Sequence, residues 1–395
     1  MSRAIAKYWI TSVMVGLVIV FAFLYVRPGW ETKGDPKLRL ATLEGDPKAV
    51  ANLSVWGTYR YSRDFNSRIG LDVDGIIHEK EPTLYEQTFE PWLSAKTVKN
   101  MFDGNLDFLR GKKNYGTFYS DDEMLAYANT EHVNDDWVLQ ISVLDKDTKQ
   151  QSDFEVQYPD SNTRNYWFTD ALQRAANGDI IVLSTHSVNV DAEETRHDKE
   201  LVRLQIDTGK KAISSVTTVI AGREEDKKQL GLLRNTKVYN PMPYMLISAP
   251  MNGKWGYYSY QTATGKLSPI SIVKAGTEIP TMFDVADDRL DYAYTDGSRI
   301  HLQSFDLATG QPESEEILID TSQWNAVSAR AVAANPKAFS IIYENKKADD
   351  PIAGVAIVDR KTGKVIYRAE VQADGTEQER QEALRKFDLV SGLAL

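Results

Sequence analysis

Residues 201–210 read Leu-Val-Arg-Leu-Gln-Ile-Asp-Thr-Gly-Lys, an alternating apolar run that ends in a polar turn. The turn recurs as Ala263-Thr264-Gly265-Lys266, Ala308-Thr309-Gly310-Gln311 and Lys361-Thr362-Gly363-Lys364. A copy without the glycine is Asp145-Lys146-Asp147-Thr148-Lys149. Glycine supplies the positive φ of a tight hairpin, and an Asp or Thr side chain can bond its own backbone there. Each copy therefore marks the reversal between two strands.

A second signal precedes each copy, a polar turn followed by a short apolar strand. Its copies are Ser120–Glu123 before Met124–Tyr127, Asn177–Asp179 before Ile180–Leu183, Asn240–Pro243 before Tyr244–Ser248, Asp287–Arg289 before Leu290–Tyr294, and Asn335–Lys337 before Phe339–Tyr343. No stretch of residues 40–370 shows a long 3.6-residue apolar period, so the chain reads as all-β. The unit is strand, polar turn, strand, variable loop, strand, Thr-Gly turn, strand. Four antiparallel strands per unit is the pattern of a β-propeller blade. These five units, over residues 115–372, resemble the blades of TolB-like and other bacterial propeller repeats. The resemblance implies a β-propeller, and with at least one more blade from residues 37–110 the total is six or seven four-stranded blades.

Residues 37–110 must supply the remaining strands, with Ser54–Ser62, Arg68–Ile77 and Leu84–Phe89 as candidates. An open series leaves unpaired edges, and Leu38–Leu43 is a candidate to pair with the last blade. Two tandem β-sandwiches are the competing reading, but sandwiches do not demand one turn chemistry five times. Thr376–Glu379 has capping-box spacing, and Ala383, Leu384, Phe387 and Val390 fall on one helical face. A short amphipathic C-terminal helix, packed on the propeller, is expected within residues 375–395.

Composition sets outer limits. The 395 residues are 42% hydrophobic and 26% charged, as in a globular chain. With no cysteine, disulfides, thiol catalysis and cysteine zinc sites are excluded. The balance of 46 basic to 56 acidic residues, net −10, makes a nucleic-acid partner a poor expectation.

Residues 8–26 form 19 residues without a charge, between Lys7 and Arg27. As a helix they span ~28 Å, close to the ~30 Å hydrocarbon core. A cleaved signal peptide competes, with Val20-Phe21-Ala22 a weak cleavage match, but the apolar run continues past it. The expectation is residues 1–7 as a cytoplasmic tail, 8–26 as a signal anchor, 27–36 as a linker, 37–374 as the propeller and 375–395 as the C-terminal helix and tail. Flanking charge does not set the orientation. The short leading tail favours a single-pass cell-membrane protein whose body is extracytoplasmic.

Signatures of a serine hydrolase elbow, a zinc protease helix, a phosphate-binding loop and a complete calcium loop are missing from the sequence. Asp72–Gly75 reads as a hairpin turn, and Ser271 and Lys274 point to opposite faces of a strand. His78, His132, His186, His197 and His301 show no ligand spacing. The variable loops are acidic. They hold Glu131, His132, Asp135 and Asp136, then Asp191, Glu193, Glu194, His197 and Asp198, then Asp296, then Asp349 and Asp350. Carboxylates converging from several blades would suit calcium or a basic partner, although Lys254, Arg299, Lys346 and Lys347 dilute them. No cofactor other than calcium is implied. The function expected is a membrane-anchored binding, scaffolding or sensor module with a protein partner or cell-surface ligand. The alternative is a propeller hydrolase or lyase acting on cell-surface glycans or phosphate esters.

Overall fold

In the computed structural model the turn-marked repeat becomes a succession of antiparallel sheets. It describes residues 37–50, 53, 55–60, 66–72, 75–78, 105–113, 116–134, 136–158, 165–189, 197–223, 230–233, 241–251, 254–272, 282–286, 288–296, 298–334 and 337–391. The chain begins with β1 (Leu38–Gly45), β2 (Val55–Arg60), β3 (Asn66–Asp72) and β4 (Gly75–His78). Next come β5 (Thr117–Ser120), β6 (Met124–Val133), β7 (Asp136–Asp145) and β8 (Gln151–Gln157), which pair in that order as one sheet. The next is β9 (Asn165–Arg174), β10 (Ile180–Asn189), β11 (His197–Asp207) and β12 (Ala212–Arg223). It is followed by β13 (Gly231–Leu232), β14 (Tyr244–Met251), β15 (Lys254–Gln261) and β16 (Leu267–Pro269). Then come β17 (Met282–Ala286), β18 (Arg289–Asp296), β19 (Arg299–Asp306) and β20 (Gln311–Pro312), with β21 (Ile317–Asp320) also paired to β19. The last run is β22 (Ser328–Ala334), β23 (Ala338–Asn345), β24 (Ile352–Asp359) and β25 (Val365–Ala373).

The termini complete the pattern. β1 lies outside β25 as a fifth strand of that last sheet. The final strand, β26 (Phe387–Ser391), pairs with β2 and gives the first sheet the order β26-β2-β3-β4. Numbered from this first sheet, the described residues form six sheets in chain order.

Successive sheets share cores. Ala126 and Ile141 meet Val182 and Leu204 between the second and third. Leu183 and Leu201 meet Ile247 and Tyr260 between the third and fourth, and Leu246 meets Leu290 and Phe305 between the fourth and fifth. Ile300 and Leu302 meet Ile341 and Val358 between the fifth and sixth, and Val355 and Tyr367 meet Val55 and Ile69 between the sixth and first. A sheet covered on both faces loses the apolar–polar alternation. That accounts for the unbroken runs Ile180–Leu183 and Val355–Val358, all buried. Meander sheets stacked face to face in sequence are the organisation of a β-propeller. The face of the second sheet away from the third is covered by a 3-10 turn, Leu106–Leu109, whose Phe108 and Leu109 pack on Leu125, Tyr127 and Leu144. Lys112 follows it, with its ammonium over the Phe108 ring at 4.8 Å and donating to Ser142 Oγ at 2.6 Å.

All five marked turns join the third and fourth strands of their sheets. The residue at the end of the third strand is Asp145, Asp207, Gln261, Asp306 or Asp359. Asp145 Oδ1 accepts from the Thr148 amide at 2.7 Å, Asp207 Oδ1 from Lys210 at 2.8 Å, Asp306 Oδ1 from Thr309 at 2.7 Å and Asp359 Oδ1 from Thr362 at 2.8 Å. Four positions on, the backbone is left-handed: Lys149, Lys211, Gly265, Gly310 and Gly363 have φ of 58°, 55°, 72°, 70° and 68°. One detail departs from the sequence alignment. Thr208 and Gly209 sit two positions early, so Lys211 and not Gly209 takes the left-handed site.

The C-terminal helix α1 spans Glu377–Lys386, opened by a capping box in which Thr376 and Glu379 satisfy each other's backbone donors. It is shorter than the apolar spacing suggests. Phe387 and Val390 belong to β26, because strand pairing to β2 captures the chain as soon as the helix ends. Phe387 is fully buried, and an added Cβ at Gly57 would stand 2.4 Å from its ring. The expected pairing of Leu38–Leu43 with the last sheet is present, running from Leu38 opposite Ala373 to Gly45 opposite Tyr367. Among the described residues no helix is long and apolar enough to cross a membrane. The span at 8–26, its flanks at 1–7 and 27–36, and the strand expected at Leu84–Phe89 lie outside the described residues.

Candidate functional site

Strand direction puts the connection between second and third strands at the end of each sheet opposite the Thr-Gly turns. The described acidic residues of these connections therefore stand at that end of their own sheets. In the second sheet, Glu131 and His132 close β6. Glu131 Oε2 accepts from Gln140 Nε2 at 2.8 Å, and its other oxygen is ion-paired with the Lys113 ammonium. His132 lies opposite Trp137, ring centroids 5.0 Å apart. Asp136 Oδ2 accepts from Gln157 Nε2 at 3.4 Å. Asp296 is exposed at the end of β18, opposite Arg299. Asp349 and Asp350 are exposed between β23 and β24. Asp135, Asp191, Glu193 and Glu194 lie outside the described residues. His197 and Asp198 open β11, opposite Asn189 and Val188. Among the described residues no three His, Asp or Glu are grouped to hold a metal ion.

Two aromatic–imidazole stacks are not readable from sequence spacing. Trp167 lies opposite His186, with rings 4.1 Å apart and 5° from parallel, and Tyr158 stacks on the other side of Trp167 at 4.4 Å. Tyr294 lies opposite His301 at 4.2 Å. Each stack needs one strand's aromatic directly across from another's histidine. That is a matter of register, which the sequence shows only once the hairpin is fixed.

A hydroxyl chain runs beside the first stack, between the second and third sheets. Ser184 Oγ donates its one proton to the Phe168 carbonyl at 2.7 Å. Tyr158 must then donate to Ser184 at 3.1 Å, Thr130 to Tyr158 at 3.0 Å, and Thr169 to Thr130 at 2.9 Å. Burial raises the Tyr158 phenol above its ordinary pKa, so it stays a donor. In the fifth sheet, Tyr294 Oη donates to Glu316 Oε1 at 3.0 Å, and His301 Nδ1 lies 3.0 Å from Tyr294 Oη and 3.2 Å from Glu316 Oε2.

The loop-bearing end also carries exposed apolar groups. Tyr166 and Phe168 alternate with buried Trp167 and Thr169 along β9, and Phe168 is 54% exposed. Trp137 reaches Tyr166 edge-on at 6.1 Å. Acidic and aromatic side chains thus meet at the ends of the second and third sheets, a chemistry suited to cations through charge and ring faces.

No family model matches the chain, and no curated protein matches it. Among solved structures it is similar to a putative dipeptidyl aminopeptidase IV from Bacteroides ovatus, at 12% identity and a TM-score of 0.38, covering 64% of this chain and 39% of that one. It is similar to TolB from Acinetobacter baumannii at 8% identity and a TM-score of 0.25, covering 80% and 78%. A prolyl endopeptidase is similar at 10% identity and a TM-score of 0.32, covering 85% of this chain and 53% of that one. At these values the likenesses bring no activity to this chain.

Proposed function

We propose that this chain is a six-bladed propeller, anchored in the cell membrane by residues 8–26 with its body outside the cytoplasm, that binds a cationic segment of a partner protein and has no catalysis of its own. The observation that carries this reading is the loop-bearing end, where exposed Tyr166 and Phe168 lie on the sheet next to Glu131 and Asp136. Glu131 is positioned by Lys113 and Gln140 and Asp136 by Gln157, contacts that fix these carboxylates in place without pairing either with a nucleophile.

The test uses the full chain in detergent and a fluorescein-labelled arginine-rich peptide followed by anisotropy. Saturable binding is expected, weakened by salt and by the combined Glu131→Gln and Asp136→Asn substitutions. No binding at low salt, or binding indifferent to those substitutions, overturns the reading. A melting temperature that rises in millimolar calcium and falls back with chelator would instead assign the loop acids to a metal ion, by linkage to the folded state.

A further inference from the structure

The first described strand enters the fold at a defined place. β1 starts with Leu38 opposite Ala373, the last residue of β25, and Lys37 O accepts from the Asp374 amide at 3.0 Å. β25 leaves the Thr-Gly turn at 362–363 and ends at the opposite, loop-bearing end. The chain preceding β1 therefore departs from the outer rim of the sixth sheet at the end that carries the acidic loops.

The length of that chain limits how the ring can sit. Residues 27–36 number ten and reach at most ~33–36 Å when fully extended. The strand at that rim, β1, has eight residues and is ~26 Å tall. With the loop-bearing end toward the anchor, the linker has slack. With the Thr-Gly end toward it, most of the linker's reach would be taken up by running the height of the rim. The exposed large apolar residues are distributed in the same sense. Val133, Tyr166, Phe168, Leu318 and Val327 lie toward the loop-bearing end, against Leu43, Val216 and Ile366 toward the other. Aromatic side chains with a polar tip suit the membrane–water boundary.

We propose that the loop-bearing end faces the bilayer, so that the cationic segment it binds is one displayed at the membrane surface by a membrane-embedded protein. This rests on the anchored-module reading above. The absence of cysteine makes single-site labelling clean. Ser298→Cys and Lys347→Cys place an exposed label at the loop-bearing end, and Asp147→Cys and Lys361→Cys at the other. Each full-length variant is reconstituted in phosphatidylcholine vesicles that carry a headgroup quencher. Labels at 298 and 347 are expected to lose fluorescence, while those at 147 and 361 keep nearly all of theirs. Equal quenching at both ends, or stronger quenching at 147 and 361, overturns the orientation while leaving the anchor intact. Failure of the full chain to float with vesicles overturns the anchor, and the orientation with it. A melting curve for each variant confirms that the label reports on the folded ring.

Discussion

The boundary between the second and third sheets and the boundary between the sixth and first are both packed face to face, but they are held by different means. No strand is exchanged at the former, which is held by apolar packing, the Tyr158–Trp167–His186 stack and the hydroxyl chain from Thr169 to Ser184. At the latter, backbone is exchanged in both directions. β1 crosses to the outside of the sixth sheet, and β26 crosses to the inside edge of the first. The chain passes this boundary twice, between β1 and β2 and between β25 and β26, and the strand hydrogen bonds of β1 and β26 tie the two sheets together. The difference teaches where the ring is weakest. An internal boundary can lose a contact and keep its neighbours in place, whereas the closure depends on two short strands at the chain ends.

The largest effect should come from removing that closure. Deleting residues 387–395 strips the first sheet of its inner strand and empties the space of buried Phe387. We expect loss of the cooperative unfolding transition in calorimetry. Phe387→Ala alone should cost about 3–5 kcal/mol in denaturant unfolding. A full-strength transition in the deletion variant would show that the termini are not what closes the ring.

Second in size is an ion pair between the fifth and sixth sheets. Arg360 Nη1 donates to Asp291 Oδ2 at 2.9 Å and Nη2 to Ser304 Oγ at 2.7 Å, with Asp291 2% exposed. Asp291→Ala leaves a guanidinium without its carboxylate and should cost about 3–5 kcal/mol. Asp291→Leu with Arg360→Met should recover much of that loss. A cost near zero for the single change would place the pair among exposed, weakly contributing bridges.

The internal boundary is probed by Tyr158→Phe. It leaves Thr130 without its acceptor and Ser184 without its donor, for about 1–2 kcal/mol. Thr130→Val added to it should then cost little, since the chain is already broken. Additive losses would contradict a coupled chain.

The smallest effect concerns the turns. Backbone amides hold the carboxyl groups of Asp145, Asp207 and Asp306 below the ordinary aspartate range, and the Thr362 hydroxyl and amide do so for Asp359. A carboxyl whose folded pKa is depressed contributes stability above its unfolded value, near 3.9, and loses it as pH falls through the folded value. Melting temperature should therefore fall below about pH 4, and less steeply when all four are changed to Asn. An unchanged acid slope would assign the pH dependence to other carboxylates.

The repeat was legible because its signals are local. A left-handed residue four positions after the strand end, with an Asp at that end in four of the five turns, fixes a hairpin without reference to the rest of the chain, and all five turns stand at the same place in their sheets. Thr208–Gly209 shows the limit of that reading, since the glycine is present but the left-handed site belongs to Lys211. The closure was less legible. Ala383, Leu384, Phe387 and Val390 fit a helical face, and nothing near Phe387 announces that its partner is Tyr59, at the other end of the chain. The histidine stacks were hidden for the same reason, because register is set by pairing and not by spacing. The acidic loops were legible as charge, but their grouping depends on loops in separate sheets.

Closure by the C-terminal strand is tested most directly by a disulfide. Thr58 and Asp388 are directly opposed in the β2–β26 pair. Opposed residues in an antiparallel ladder have Cα atoms about 4.5–5.5 Å apart, within the roughly 4.4–6.8 Å a disulfide spans. In this cysteine-free chain, Thr58→Cys with Asp388→Cys should oxidise to a monomer of increased mobility on a non-reducing gel, with a melting temperature that falls on reduction. A pair that stays reduced, or that links only between molecules, would contradict a ring closed by its own last strand.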